Sequence, residues 1–253
     1  GNIEVHAEQR TVISYFAFLA TILYAIGFVG NIWVPKAIDS APSADFAVAL
    51  LSNLGLLALF AVQHSVMARP AFKKIWTRII PESAERSTYV LFSSVALAIV
   101  FFGWQPMGGV VWHFEQPLVK AVCYTLFALG WFTVFGSSFL INHFDLFGLR
   151  QVWLAYRGQP YTHLGFVTPG PYRMVRHPLY VGFLLASWFT PTMTVAHLVF
   201  AVMITAYILV GIQLEERDLK TALPEYARYQ AEVPMLIPRL PASDSQETAL
   251  SQS

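Results

Sequence analysis

Charge is what this 253-residue chain has least of: Asp, Glu, Lys and Arg make up 12% of it, about half the share usual in soluble domains. That shortage excludes an ordinary water-facing surface. The net charge is +1 and no basic block stands out, so the electrostatic footprint of a nucleic-acid binder is missing and no nucleic-acid partner is expected. Cysteine is almost absent. Cys123 alone cannot form an intramolecular disulfide, and inside an apolar run it reads as a small buried hydrophobe. No pair of His, Cys or carboxylate residues has the spacing of a metal motif, so no metal is expected. A Gly-x-Gly-x-x-Gly phosphate loop is missing too, which argues weakly against a nicotinamide-dependent membrane reductase, since such enzymes need not use that loop.

What the chain has in abundance is apolar length. Hydrophobic residues are 56% and aromatics 15%, and the mean hydropathy is +0.52. Runs able to cross about 30 Å of hydrocarbon at 1.5 Å per residue lie at Thr11–Val34, Asp45–Ala68, Ser87–Trp104 and Pro117–Ile141. A fifth stretch, Leu179–Leu214, is too long for one span and is interrupted at Thr190-Pro191-Thr192-Met193-Thr194. It reads as a tight hairpin whose first helix is short. The expected fold is therefore an all-α polytopic membrane bundle of about six transmembrane helices, with a C-terminal helical hairpin and a cytoplasmic cofactor cap. No cleavable signal pattern precedes the first run, which is expected to be a retained span.

The basic residues orient these spans. All but Lys36 and Lys120 of the 16 fall before the first run, in the second and fourth connections, or in the tail. The positive-inside rule makes those segments, and both termini, cytoplasmic. Residues 1–241 read as one membrane domain, because the cap segments Asn142–Pro178 and Arg217–Pro241 are too short to fold alone. The polar end, 242–253, is expected to be disordered.

Two charged clusters flank the hairpin. The first is Tyr172-Arg173-Met174-Val175-Arg176-His177-Pro178-Leu179-Tyr180; the second is Glu215-Glu216-Arg217-Asp218. Pro178 pushes His177 out of helical geometry and suits the first turn of the following helix. Free amides there favour an anionic group, Arg173 and Arg176 offer bidentate carboxylate contacts, and Tyr172 and Tyr180 offer rings and hydroxyls. Glu215 and Glu216 differ by about 100° around a helix, so one can face a pocket while the other pairs with an arginine. The pattern fits a zwitterionic, nucleoside-sized ligand. An anchoring role at the membrane boundary is the alternative for the arginines and tyrosines, and plain solvated charges for the glutamates.

Asn142-His143-Phe144-Asp145 follows the fourth run. His143 and Asp145 are close enough for a His–carboxylate pair that takes a proton near neutral pH, or they are simply polar loop residues. His64, late in the second run, is an intramembrane polar residue with either a functional role or a bond to a neighbouring helix.

Arg176-His177-Pro178-Leu179-Tyr180, Glu215-Glu216, and Leu223-Pro224-Glu225-Tyr226-Ala227-Arg228-Tyr229 with Pro234 and Pro238 resemble the membrane methyltransferases typified by isoprenylcysteine carboxyl methyltransferase and phospholipid methyltransferase. Asn142–Leu154, Pro191-Thr192-Met193-Thr194 and Val233–Pro238 further resemble the bacterial methanethiol S-methyltransferase family. The segment Gln63–Pro70 is also similar to NnrU-like membrane proteins. The resemblance implies S-adenosylmethionine as cofactor, held by Tyr172, Arg173, Arg176, His177, Pro178, Tyr180, Glu215 and Glu216. It also implies in-line methyl transfer to a small thiol that makes dimethyl sulfide, with His143 and Asp145 as catalytic pair and His177 as second choice of base. Membrane lipid is the remaining expected partner, and no obligatory protein partner is evident. An isoprenylcysteine or lipid acceptor, a non-enzymatic sensor and a membrane reductase remain as other classes.

Overall fold

The computed structural model describes residues 2–141, 148–162, 164 and 166–239. Helices dominate: α1 (Asn2–Gly30), α2 (Phe46–Met67), the short α3 (Pro70–Trp76), α4 (Glu85–Gly103), α5 (Pro117–Leu140), α6 (Leu149–Tyr156), α7 (Pro178–Trp188), α8 (Val195–Ala222) and α9 (Tyr226–Glu232). Five segments are long and apolar enough to cross a membrane: Glu8–Gly30, Phe46–Met67, Glu82–Gly103, Pro117–Leu140 and Val195–Ala222. The chain is a multi-pass helical membrane bundle. Large apolar side chains such as Phe16, Leu23, Leu51, Leu118 and Phe132 stay exposed on its outside, as a lipid-facing surface requires.

Two faces are defined by contacts between connections. On one, β1 (Val110–His113) pairs antiparallel with β2 (Thr192–Thr194), with a bulge between Val110 and Trp112. The α1–α2 connection joins them there, because Asp39 accepts a hydrogen bond from Thr194 Oγ1 at 2.6 Å and pairs with His197 Nδ1 at 3.0 Å. On the opposite face, which carries the cap, Arg69 meets Asp218 at 2.7 Å. Gln151 of α6 accepts the Arg86 N–H at 3.3 Å, tying the cap to the start of α4. Gly148 caps α6 at φ +87, and a Cβ on it would meet Ser87 N at 2.9 Å, so this close approach requires glycine.

The return from the cap face to the strand face differs from the other crossings. Its helix, α7, has 11 residues and is about 16 Å long, roughly half the hydrocarbon thickness; the extended residues 189–194 complete the path. The hairpin with a short first helix is thus present, and the two strands were not anticipated. Pro191 stops the helix and its carbonyl accepts from Phe114 N at 2.9 Å, continuing a pairing between segments about 80 residues apart. A run as short as β1 carries no periodicity that reveals such a partner.

Packing is tightest where α5 meets α7. A Cβ on Gly130 would lie 2.7 Å from both Ala186 N and Gly182 O, and one on Gly182 would lie 2.9 Å from Val134 N. The backbones touch, as small residues permit between membrane helices. Near the strand face, Phe28, Phe101, Trp104 and Phe200 form a buried aromatic knot with ring centroids 4.8–6.4 Å apart, joining α1, α4 and α8.

Candidate methyl-transfer site

The two sequence clusters meet at the cap face. His177 has φ −126 and ψ 62, with Pro178 as the first helical residue of α7, so proline releases the histidine from helical geometry and aims it across to α8. Its Nε2 lies 2.8 Å from Glu216 Oε1. Arg176 donates Nε to the same oxygen at 2.6 Å and Nη2 to Oε2 at 3.4 Å, while its Nη1 donates to the carbonyls of Val233 and Gln230 at 2.5 and 3.1 Å. Gln230 Nε2 at 2.8 Å and the Tyr226 hydroxyl at 3.2 Å complete the shell. Glu216 is 3% exposed yet accepts five hydrogen bonds, which is how a buried carboxylate stays ionised.

Backbone bonds close the cap over this hub. Arg176 N donates to Pro234 O at 2.8 Å and His177 N to Met235 O at 3.2 Å. The Tyr229 hydroxyl donates to Tyr172 O at 2.5 Å, and the Tyr172 hydroxyl to Ser137 O on α5 at 3.3 Å. Burial pushes the Tyr229 phenol up to about 12. It raises Tyr226, helped by Glu216, and Tyr172, helped by the Glu215 charge. All three phenols therefore remain protonated donors at neutral pH.

Glu215 stands in different company. Tyr180 donates its hydroxyl to Oε2 at 2.9 Å, and that is the carboxylate's one hydrogen bond among the described residues. Tyr172, Tyr226 and Tyr89 are also within electrostatic reach of it. The residue is half-buried, and its Oε1 has no hydrogen bond among the described residues. The Tyr180 ring stacks on His177 at 5.5 Å. Arg173 is exposed at the rim, with Nε donating to Thr168 O at 3.2 Å.

The fold thus gathers Tyr172, Arg173, Arg176, His177, Pro178, Tyr180, Glu215 and Glu216 at one end of the bundle. Arg176, His177 and Glu216 bond one another there, and the Tyr172 hydroxyl bonds α5. His143 and Asp145 lie outside the described residues. Residues to which sequence reasoning gave no role are Gln230, Tyr226 and Tyr229 in the cap, and Tyr89 and Tyr207 on α4 and α8. The Tyr226–Tyr229 spacing puts both rings on one helical face, a signal that was available. Nothing in the sequence pointed to Tyr89 and Tyr207.

The donor set suits a zwitterionic sulfonium compound bearing a ribose. Glu215 Oε1 is open to an ammonium or a diol, Arg173 and the first turn of α7 suit a carboxylate, and the phenol rings suit the sulfonium.

The chain is similar to proteins of known name. The chain is 58% identical over 228 residues to a methanethiol S-methyltransferase of Crocosphaera subtropica, covering 90% of this chain and 89% of that one. It is 54% identical over 226 residues to the methanethiol S-methyltransferase of Mycobacterium tuberculosis, covering 89% and 93%. Nurim of Bos taurus is more distant, 32% identical over 184 residues, with 68% and 69% covered. No family model matches the chain, and no solved structure matches it. At such identity across nine-tenths of both proteins, and with the two site motifs brought together, the chain belongs to the methanethiol S-methyltransferase family.

Proposed function

We propose that this protein methylates methanethiol to dimethyl sulfide with S-adenosylmethionine as methyl donor. The observation that carries the reading is the division between two neighbouring carboxylates, one saturated by Arg176 and His177, the other left with an open oxygen among tyrosines. The names of the relatives support the same reaction.

Glu216 holds the turn and the cap together, so that Arg176 and His177 shape the floor of the donor site. Glu215 and Tyr180 receive the donor's ammonium or ribose, Arg173 and the α7 amides its carboxylate, and Tyr172 limits the depth of the pocket. When bound, the sulfonium supplies an electrophilic methyl group for in-line displacement by sulfur, a reaction in which positioning contributes much of the acceleration. Removing the thiol proton falls to an imidazole; His143 with Asp145 is the pair expected there from the sequence, and both lie outside the described residues.

The remaining placement is part of the proposal. Residues 1–241 form one domain in a bacterial inner membrane with both termini and the cap in the cytoplasm, consistent with the gathering of basic residues on the cap face. The apolar groove bounded by Leu184, Trp188, Leu209 and Met235 contacts lipid. The test is purified protein incubated with methyl-labelled S-adenosylmethionine and a thiol panel, followed by identification of volatile products. Label in dimethyl sulfide is expected; labelled products from isoprenylcysteine or lipid but not from methanethiol would overturn the assignment.

A further inference from the structure

We propose that His64, with Tyr89, Ser65 and Tyr207, forms the pocket that receives the thiol, and that its imidazole takes the thiol proton. The proposal rests on the methyl-transfer reading above and names the acceptor half of that site.

The juxtaposition comes from three helices. His64 Nδ1 on α2 lies 3.1 Å from Ser93 Oγ on α4, and the Tyr89 hydroxyl, also on α4, lies 3.0 Å from Nε2 and 3.1 Å from Nδ1. Next to it, Ser65 Oγ meets the Tyr207 hydroxyl of α8 at 3.1 Å. Phe60 stacks on the imidazole at 5.2 Å. These groups point between helices, yet His64, Ser65, Tyr89 and Tyr207 are all only partly buried. Side chains that bond across helices and still keep accessible surface can meet a small molecule between them. The cluster adjoins the donor site: Tyr180 has Glu215, Tyr207 and Tyr89 as electrostatic neighbours, and Tyr89 in turn has Glu215.

Comparison with the other bonded histidines inside the bundle singles out His64. His177 is tied to the Glu216 carboxylate. His197 has both ring nitrogens engaged, Nδ1 by the Asp39 carboxylate and Nε2 by the Ser187 carbonyl. The partners of His64 are hydroxyls, which both donate and accept. Its ring can gain or lose a proton while Ser93 and Tyr89 rotate, and no buried group is orphaned. The groups facing it are the Tyr89 and Tyr207 phenols and the Arg69 guanidinium, itself paired with Asp218. Hydroxyl partners leave a ring nitrogen able to accept a proton.

In the step, the thiol S–H bond breaks, with its proton passing to His64 and the electron pair staying on sulfur. That sulfur forms the new bond to the methyl carbon as the methyl group's bond to the donor breaks, the pair leaving with the now uncharged donor. The imidazolium then returns its proton to solvent.

The test uses His64→Ala and the hydrogen-bonding His64→Gln in the full chain, with His143→Ala as comparator. Calorimetric affinity for S-adenosylmethionine is expected to stay within about threefold of wild type, while single-turnover methyl transfer falls by about 100-fold or more at neutral pH. The loss should shrink as rising pH supplies preformed thiolate. A readout independent of turnover comes from a Cys123→Ser background: His64→Cys should be tagged by methyl methanethiosulfonate, which delivers a methylthio group of methanethiol size, and dimethyl sulfide should slow the tagging. If His64→Ala does not fold, His64→Gln decides. A wild-type rate and pH profile in a folded His64 variant, or a folded His64→Cys protein that resists the probe, overturns the proposal. Loss of the pH-dependent rate in His143→Ala alone would move the proton acceptor to the loop, whereas a wild-type protein that binds no S-adenosylmethionine would sink the underlying reading instead.

Discussion

Arg176 Nε and Glu216 Oε1 lie 2.6 Å apart, with side chains only 10% and 5% exposed. This pair fastens the start of α7 to the end of α8, and through the Val233 and Gln230 carbonyls it also fastens the cap. Removing one partner leaves a buried charge uncompensated. Glu216→Ala should cost roughly 3–5 kcal/mol, read as a fall in thermal stability in detergent. Arg176→Ala combined with it should cost clearly less than the two single changes added together; strict additivity would mean that the pair is not a unit.

Glu215→Gln is expected to act differently. The fold should survive, because Glu215 has a single hydrogen bond among the described residues, while donor binding weakens by about 2 kcal/mol or more through the lost charge. Tyr180→Phe should weaken it less, by about 0.5–1.5 kcal/mol. Calorimetric titration with S-adenosylmethionine distinguishes these effects, and wild-type affinity in folded Glu215→Gln would remove that carboxylate from the site.

The strand face has its own pH dependence. Burial pushes the Asp39 carboxyl up, but the hydrogen bond and charge of His197, with bonds from Thr194 and Asn31, outweigh it and hold the group below its ordinary value. A lowered carboxyl stabilises fully above the unfolded value of about 3.9 and loses that contribution as pH falls through the folded value. Thermal stability should therefore drop below about pH 4, and Asp39→Asn should be less stable at neutral pH and lack that part of the drop. Identical pH profiles for the two proteins would dissociate the loop clamp from Asp39.

Gly182→Ala should destabilise by about 1–3 kcal/mol, because its Cβ would press on the Gly130 carbonyl and Val134. Donor affinity should fall with stability, since α7 carries Tyr180. An unchanged melting temperature would mean that α5 and α7 separate at little cost.

In a Cys123→Ser background, Ser43→Cys should react with a membrane-impermeant maleimide applied to intact cells, and Ser83→Cys should not. The reverse pattern would invert the proposed orientation.

Sequence alone determined that the chain is a membrane bundle, because hydrocarbon requires backbone amides to be satisfied within the protein, which long apolar helices do, and such runs are visible without a structure. It also determined that Arg176-His177-Pro178 and Glu215-Glu216 belong to one end, since an apolar hairpin lies between them. Which glutamate is saturated was not legible: Glu215 and Glu216 are chemically identical neighbours, and only the rotation of α8 against α7 gives one to Arg176 and the other to Tyr180. The strand pairing of Val110–His113 with Thr192–Thr194 and the meeting of His64 with Tyr89 and Tyr207 were likewise decided by tertiary structure. Each joins residues on separate segments, and local periodicity carries no information about which distant segment will supply a partner.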